Sequence, residues 1–160
     1  MKLVLDFTRK NETKQRKKLK ELITDSNYIP IFPEDDFART DGKIYDLIKD
    51  KDYVFESKWY GDINHPRYSN KFPNYQIDYK KLEELEMKSI EENGTPLLIC
   101  FFSNELVVWD INKINWKSTK KSVCTNMIGG NYGKYKEWSD QVYLKLEDAI
   151  YRNPNITPFN

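Results

Sequence analysis

The sequence predicts a mixed α/β fold, bordering on α+β, and three observations carry the prediction. Residues 11–24 and 77–92 repeat apolar side chains at helical spacing. Short runs rich in Ile, Val, Tyr and Phe lie around them, bounded by Pro, Gly, Asn and Asp. The resulting order, α-β-β-β-α-β-β, calls for a mixed sheet with helices laid against it.

The first helix is expected to start at Asn11, whose side chain can accept a bond from a free first-turn amide. Arg16, Leu19, Leu22 and Ile23 then mark the face turned to the core. Glu12 falls on that stripe and Glu21 points away from it. Residues 28–33 read as a short strand, which Pro30 and Pro33 confine to an edge. Thr40-Asp41-Gly42 reads as a turn. Residues 43–48 and 52–60 form a hairpin across Lys49-Asp50-Lys51, and residues 61–76 form a loop. The second helix, residues 77–92, turns Leu82, Leu85 and Ile90 inward and ends at Asn93-Gly94. Residues 96–102 are a buried strand, residues 106–111 its neighbour, and residues 141–146 one late strand.

At 160 residues and 19.2 kDa the chain is expected to form a single domain. A core of about residues 11–111 would carry a basic and aromatic extension of about residues 112–160. No apolar run approaches the ~20 residues of a membrane span, and Leu3-Val4-Leu5 between charges is too little for a signal peptide. Cys100 and Cys124 give neither a disulfide framework nor zinc spacing. A cytoplasmic, reduced protein with no membrane partner is therefore expected. The formal charge is only +1, but residues 1–22 carry +5 and residues 113–136 carry +6 with no acid. Basic ends around an acidic middle suit a phosphate-binding rim around a cation centre, or two solvated lysine-rich faces.

One hairpin departs from ordinary surface logic. Glu56 and Lys58 lie two apart on an apolar and aromatic strand, so they share a face. Asp46 sits among Ile44, Tyr45, Leu47 and Ile48 on the preceding strand. Three charges on one such patch cost desolvation unless a partner offsets it. A divalent cation would, and two oxygen donors with water completing the shell suit Mg²⁺. Asp46 and Glu56 share a face only if an odd number of residues forms the turn, or a bulge restores that alignment. A ladder of surface ion pairs is the rival arrangement.

Asp46, nine residues, then Glu56-Ser57-Lys58 resembles the Asp-x(n)-Glu-x-Lys signature of the PD-(D/E)XK nuclease superfamily, at the short spacing of some phage-type junction-resolving enzymes. The αβββαβ order over residues 11–102 is similar to that superfamily's restriction-endonuclease-like core. Tyr45 stands where the name-giving proline would be. The resemblance implies that Asp46 and Glu56 ligate Mg²⁺ (or Mn²⁺ in its place), with the Ser57 carbonyl as a third oxygen. The ion would polarise the scissile phosphate and activate a water, while Lys58 orients or deprotonates that water or stabilises developing charge. Relatives often add an acid from the first helix, for which Glu12 is the candidate and Glu21 the alternative.

Arg67, Lys71 and Gln76 fall in the loop and helix start after the motif, where relatives often hold phosphates, or are ordinary polar loop residues. Lys80 and Lys81 make a weaker claim, and the lone His65 could reach a phosphate or be solvated. Lys120, Lys121, Lys134 and Lys136 interleave with Trp116, Tyr132, Tyr135 and Trp138, a pattern suited to backbone phosphates and stacked bases. Trp59, Phe101 and Trp109 read as core, and Cys100 as buried rather than nucleophilic. The expected function is that of a Mg²⁺-dependent endonuclease acting on DNA, with RNA also open and a homodimer as the way to cut two strands. A noncatalytic nucleic-acid-binding module on the same fold and a protein-interaction or inhibitor protein are the rival functions.

Overall fold

The computed structural model describes residues 13–34, 40–59, 74–102, 105–129 and 133–154, without the side chains of residues 59, 74, 75, 125–129 and 133–136. It is a mixed α/β structure with two sheets. Helix α1 covers residues 13–22. The main sheet contains β1 (Tyr28–Ile31), β2 (Gly42–Asp46), β3 (Lys51–Trp59), β5 (Thr95–Phe101), β6 (Leu106–Asp110) and β9 (Tyr151–Asn153), in the order β1-β2-β3-β5-β6-β9. All neighbours are antiparallel except β3 and β5, which run parallel. A parallel pair needs a crossover, and α2 (Tyr79–Glu91) supplies it. The smaller sheet is β4 (Asn74–Asp78), β8 (Gly133–Lys145) and β7 (Lys121–Gly129), in that order.

The main sheet has a different cluster on each face. Phe55, Leu97, Ile99, Phe101 and Leu106 pack with Leu19 of α1. Val54, Leu98, Cys100, Val107 and Trp109 pack with Leu82 and Leu85 of α2, and Ile77, Val142 and Leu144 of the smaller sheet join them. This explains why β5 is apolar along its whole length: it is covered on both sides. Trp109 and Phe101 are fully buried.

Asp78 caps α2, accepting from the Lys80 N–H at 3.0 Å. At the other end Asn93 takes a positive φ of 51°, and the Gly94 N–H returns to the Ser89 carbonyl at 2.7 Å. Gly94 is needed there because a Cβ would stand 2.9 Å from the Asp52 carbonyl oxygen.

The structure differs from the sequence reading in four places, the first being Ile90, expected to turn inward but exposed because the buried stripe of α2 runs through Leu82, Leu85 and Ser89. Residues 74–76, predicted as the end of a loop, and residues 77–78, predicted as the start of the second helix, form β4, and α2 begins at Tyr79. The extension holds three strands rather than one, because β7 and β8 build a long hairpin and β9 returns to the main sheet. The β2–β3 turn is Leu47 to Asp50, one residue longer than expected and with an even count. Among the described residues, no helix is long and apolar enough to cross a membrane.

Candidate functional site

The β2–β3 register decides which carboxylates meet. Asp46 pairs with Lys51, Ile44 with Tyr53 and Gly42 with Phe55. Alternation then puts Asp46 on the face of Lys51, Tyr53 and Phe55, opposite to that of Glu56. The predicted Asp46–Glu56 pair is therefore not formed: the even turn sends the two side chains to opposite faces. Asp46 is buried and serves the turn instead. Its Oδ1 accepts from the Ile48 and Lys49 N–H groups, each at 3.0 Å, and its Oδ2 has no hydrogen-bond partner among the described residues.

Asp41 directly precedes β2 and lies against β3 at Phe55 and Ser57, where its charge acts on Glu56. The Asp41 N–H donates to the Phe55 carbonyl at 3.1 Å. Asp41 Oδ2 accepts from the Ser57 N–H at 2.7 Å and lies 2.9 Å from Ser57 Oγ. In an extended strand the N–H and C=O of one residue point the same way, so the Ser57 carbonyl faces the edge where Asp41 lies. Ser57 Oγ also lies 2.6 Å from Gln15 Oε1 of α1. The sequence reading passed over Asp41 because Thr40-Asp41-Gly42 looked like a turn. The signal that could have found it is the wider match Asp41, fourteen residues, Glu56-Ser57-Lys58.

Glu56 and Lys58 do come together. Lys58 Nζ lies 2.5 Å from Glu56 Oε1, and Lys81 Nζ of α2 approaches the same oxygen at 3.9 Å. Glu56 is buried, and burial pushes its carboxyl up. Lys58 opposes that rise and the Asp41 charge adds to it. Burial alone would lower the Lys58 ammonium, but the Glu56 carboxylate, its hydrogen bond and Asp41 outweigh burial and raise it.

The remaining predicted residues are dispersed. Gln76 is exposed on β4, opposite Tyr143, and is not at a helix start. Lys120 pairs with Asp140 at 3.1 Å and lies over the Tyr79 ring, while Lys121 lies over Tyr143. Lys113 and Lys117 pair with Asp110 and Glu86, so three lysines of the acid-free run are matched by acids from elsewhere. Glu21 is exposed and pairs with Lys18. Glu12, His65, Arg67 and Lys71 lie outside the described residues, as do the side chains of Trp59, Lys134 and Lys136.

Among the described residues, no group of three or more His, Cys, Asp or Glu side chains gathers to hold a metal ion. A cation here would take two carboxylates, Asp41 and Glu56, and complete its shell with the Ser57 carbonyl and water. Mg²⁺, which keeps several waters and binds through one or two carboxylates, fits that donor set. In comparisons with known proteins, no family model and no curated protein matches the chain.

Proposed function

We infer that the chain is a Mg²⁺-dependent endonuclease hydrolysing phosphodiester bonds in DNA, with Asp41, Glu56 and Lys58 as its centre. One observation carries the reading: a buried carboxylate, Glu56, feels a second carboxylate, Asp41, at the entry to the neighbouring strand β2 and bonds an ammonium two residues along its own strand. Supporting it, β1, β2 and β3 form an antiparallel meander and α2 crosses over to the parallel β5, after a leading helix. Apart from β4, which joins the smaller sheet before α2, this order supports a restriction-endonuclease-like reading.

In this reading Asp41 and Glu56 hold Mg²⁺, which when bound supplies Lewis-acid polarisation of a phosphate and a water. Lys58, a cation held on Glu56, faces the same spot and can stabilise charge developing on the phosphate. Lys81, from the start of α2, can neutralise a neighbouring phosphate oxygen.

The test is incubation of purified protein with plasmid, branched DNA, single-stranded DNA and RNA, in Mg²⁺ or in EDTA. Cleavage that needs Mg²⁺ and disappears in Glu56→Gln supports the reading. Salt-sensitive binding without any product would point to a noncatalytic nucleic-acid module. No affinity for any polynucleotide would point to a protein-interaction role.

A further inference from the structure

The Ser57 hydroxyl stands between two oxygens and owns one proton. Its Oγ is 2.6 Å from Gln15 Oε1 and 2.9 Å from Asp41 Oδ2. Both cannot accept that proton. The carboxylate is the stronger acceptor. The two ends of the Gln15 amide are nearly equal in size, and half a turn puts its NH₂ group on Ser57 Oγ. The Ser57 hydroxyl then has one donor and one acceptor: Gln15 donates to Ser57, and Ser57 donates to Asp41 through both N–H and O–H.

We propose that Gln15 is a positioning residue that acts through Ser57 to aim the Asp41 carboxylate at the cation site. Both Ser57 donors fall on Oδ2, which leaves Oδ1 to act as ligand. Gln15 is itself fixed. It is buried on α1, one turn before Leu19, and Leu19 packs in the cluster that contains Phe55. Docking of α1 is thereby coupled to the geometry of a carboxylate at the entry to β2. Metal-ligating carboxylates depend on hydrogen-bond partners of this kind. The proposal rests on the endonuclease reading.

Calorimetric titration of Mn²⁺ into nucleic-acid-free protein tests it, on wild type, Asp41→Asn, Ser57→Ala, Ser57→Thr, Gln15→Met and the Gln15→Met/Ser57→Ala double variant. Thermal melts of each variant control for folding. Removing either partner should weaken Mn²⁺ binding about tenfold or more. The double variant should be no weaker than the worse single one, since both act through one chain of bonds. Ser57→Thr keeps the hydroxyl and should bind within about twofold of wild type, which a general packing defect would not allow. Mn²⁺ binding that is lost in Asp41→Asn yet kept at full strength in Ser57→Ala and Gln15→Met overturns the positioning role alone. Absence of Mn²⁺ binding in the wild type overturns the endonuclease reading and this proposal with it.

Discussion

Asp41 stands just before β2 at the open end of the β2–β3 hairpin, with its N–H on the Phe55 carbonyl and its Oδ2 on the Ser57 N–H at 2.7 Å. Asp46, five residues further on, closes the opposite end of the same strand and caps the turn. The two aspartates therefore separate chemistry from folding. Asp41→Asn keeps the shape and removes one ligand charge, and should lower Mg²⁺-dependent cleavage by about 100-fold or more with little change in stability. Asp46→Ala should do the reverse. It frees two turn N–H groups and removes a buried carboxylate with one oxygen unmatched among the described residues, so destabilisation of about 1 kcal/mol is expected with cleavage intact. Urea unfolding and a plasmid-cleavage assay on both variants check this. Equal loss of activity in the two would contradict the assignment.

Lys58 has two tasks in this arrangement. It neutralises Glu56 in the free protein and presents a cation to a phosphate when substrate is bound. Lys58→Met leaves the buried Glu56 carboxylate without its hydrogen bond, at a cost of about 1–3 kcal/mol. Cleavage should fall by about 100-fold or more. Added Mn²⁺ should raise the melting temperature of this variant more than that of wild type, because the ion then replaces the positive charge that Lys58 held on Glu56. Melting curves with and without Mn²⁺ measure the difference, and equal shifts in both proteins would count against a shared cation site.

Gly42 links the fold to the site. A Cβ at this position would meet the Ile31 carbonyl oxygen at 2.6 Å and the Phe55 ring at 2.9 Å. The first is backbone, so β1 rather than a side chain must give way. Gly42→Ala should cost about 1–3 kcal/mol by overpacking. It should also displace Asp41, its chain neighbour, and reduce cleavage beyond what the fraction unfolded explains. Chemical denaturation paired with specific activity per folded molecule resolves the two effects. A variant with wild-type values in both would show that the hairpin relaxes freely.

Much of the core was legible because burial writes a simple pattern. The continuous apolar run from Pro96 to Phe101 marks a strand covered on both faces, and Leu82 with Leu85 marks the buried stripe of α2. Glu56 and Lys58 were legible for the same reason, as charges where the pattern wanted apolar side chains. Asp46 satisfied that logic too, and only the length of the turn separates it from Asp41. Turn length depends on local backbone geometry at Asp50, which takes a positive φ of 49°, and nothing in the composition of Leu47 to Asp50 announces an even count. Gln15 left no signal, since an amide on a core-facing stripe is recognisable only once its partner Ser57 is known. Strand β7 and the first part of β8, residues 133–140, were missed because their Lys, Ser, Thr and Asn content imitates a loop, while their pairing comes from each other; only the end of β8, from Gln141, was legible.

The acid limb of stability should be set in part by Glu92. Its carboxylate accepts from Lys88 at 2.8 Å and from Lys43 at 2.9 Å, tying the end of α2 to β2. Those two hydrogen bonds hold its carboxyl at about 2, down from 4.5. A folded value below the unfolded one means that the unfolded chain takes up the proton first as pH falls. The stabilisation is therefore complete above about pH 4.5 and is lost as pH drops toward about 2. The carboxylate is partly exposed, so solvent screening limits its contribution to about 1 kcal/mol. Glu92→Gln removes the charge at every pH. The stability gap between wild type and Glu92→Gln should be widest near neutrality and should close toward about pH 2. Urea unfolding in a series of buffers from neutral to acid measures that gap, and a gap that stays constant across the series would show that Glu92 contributes by packing rather than by charge.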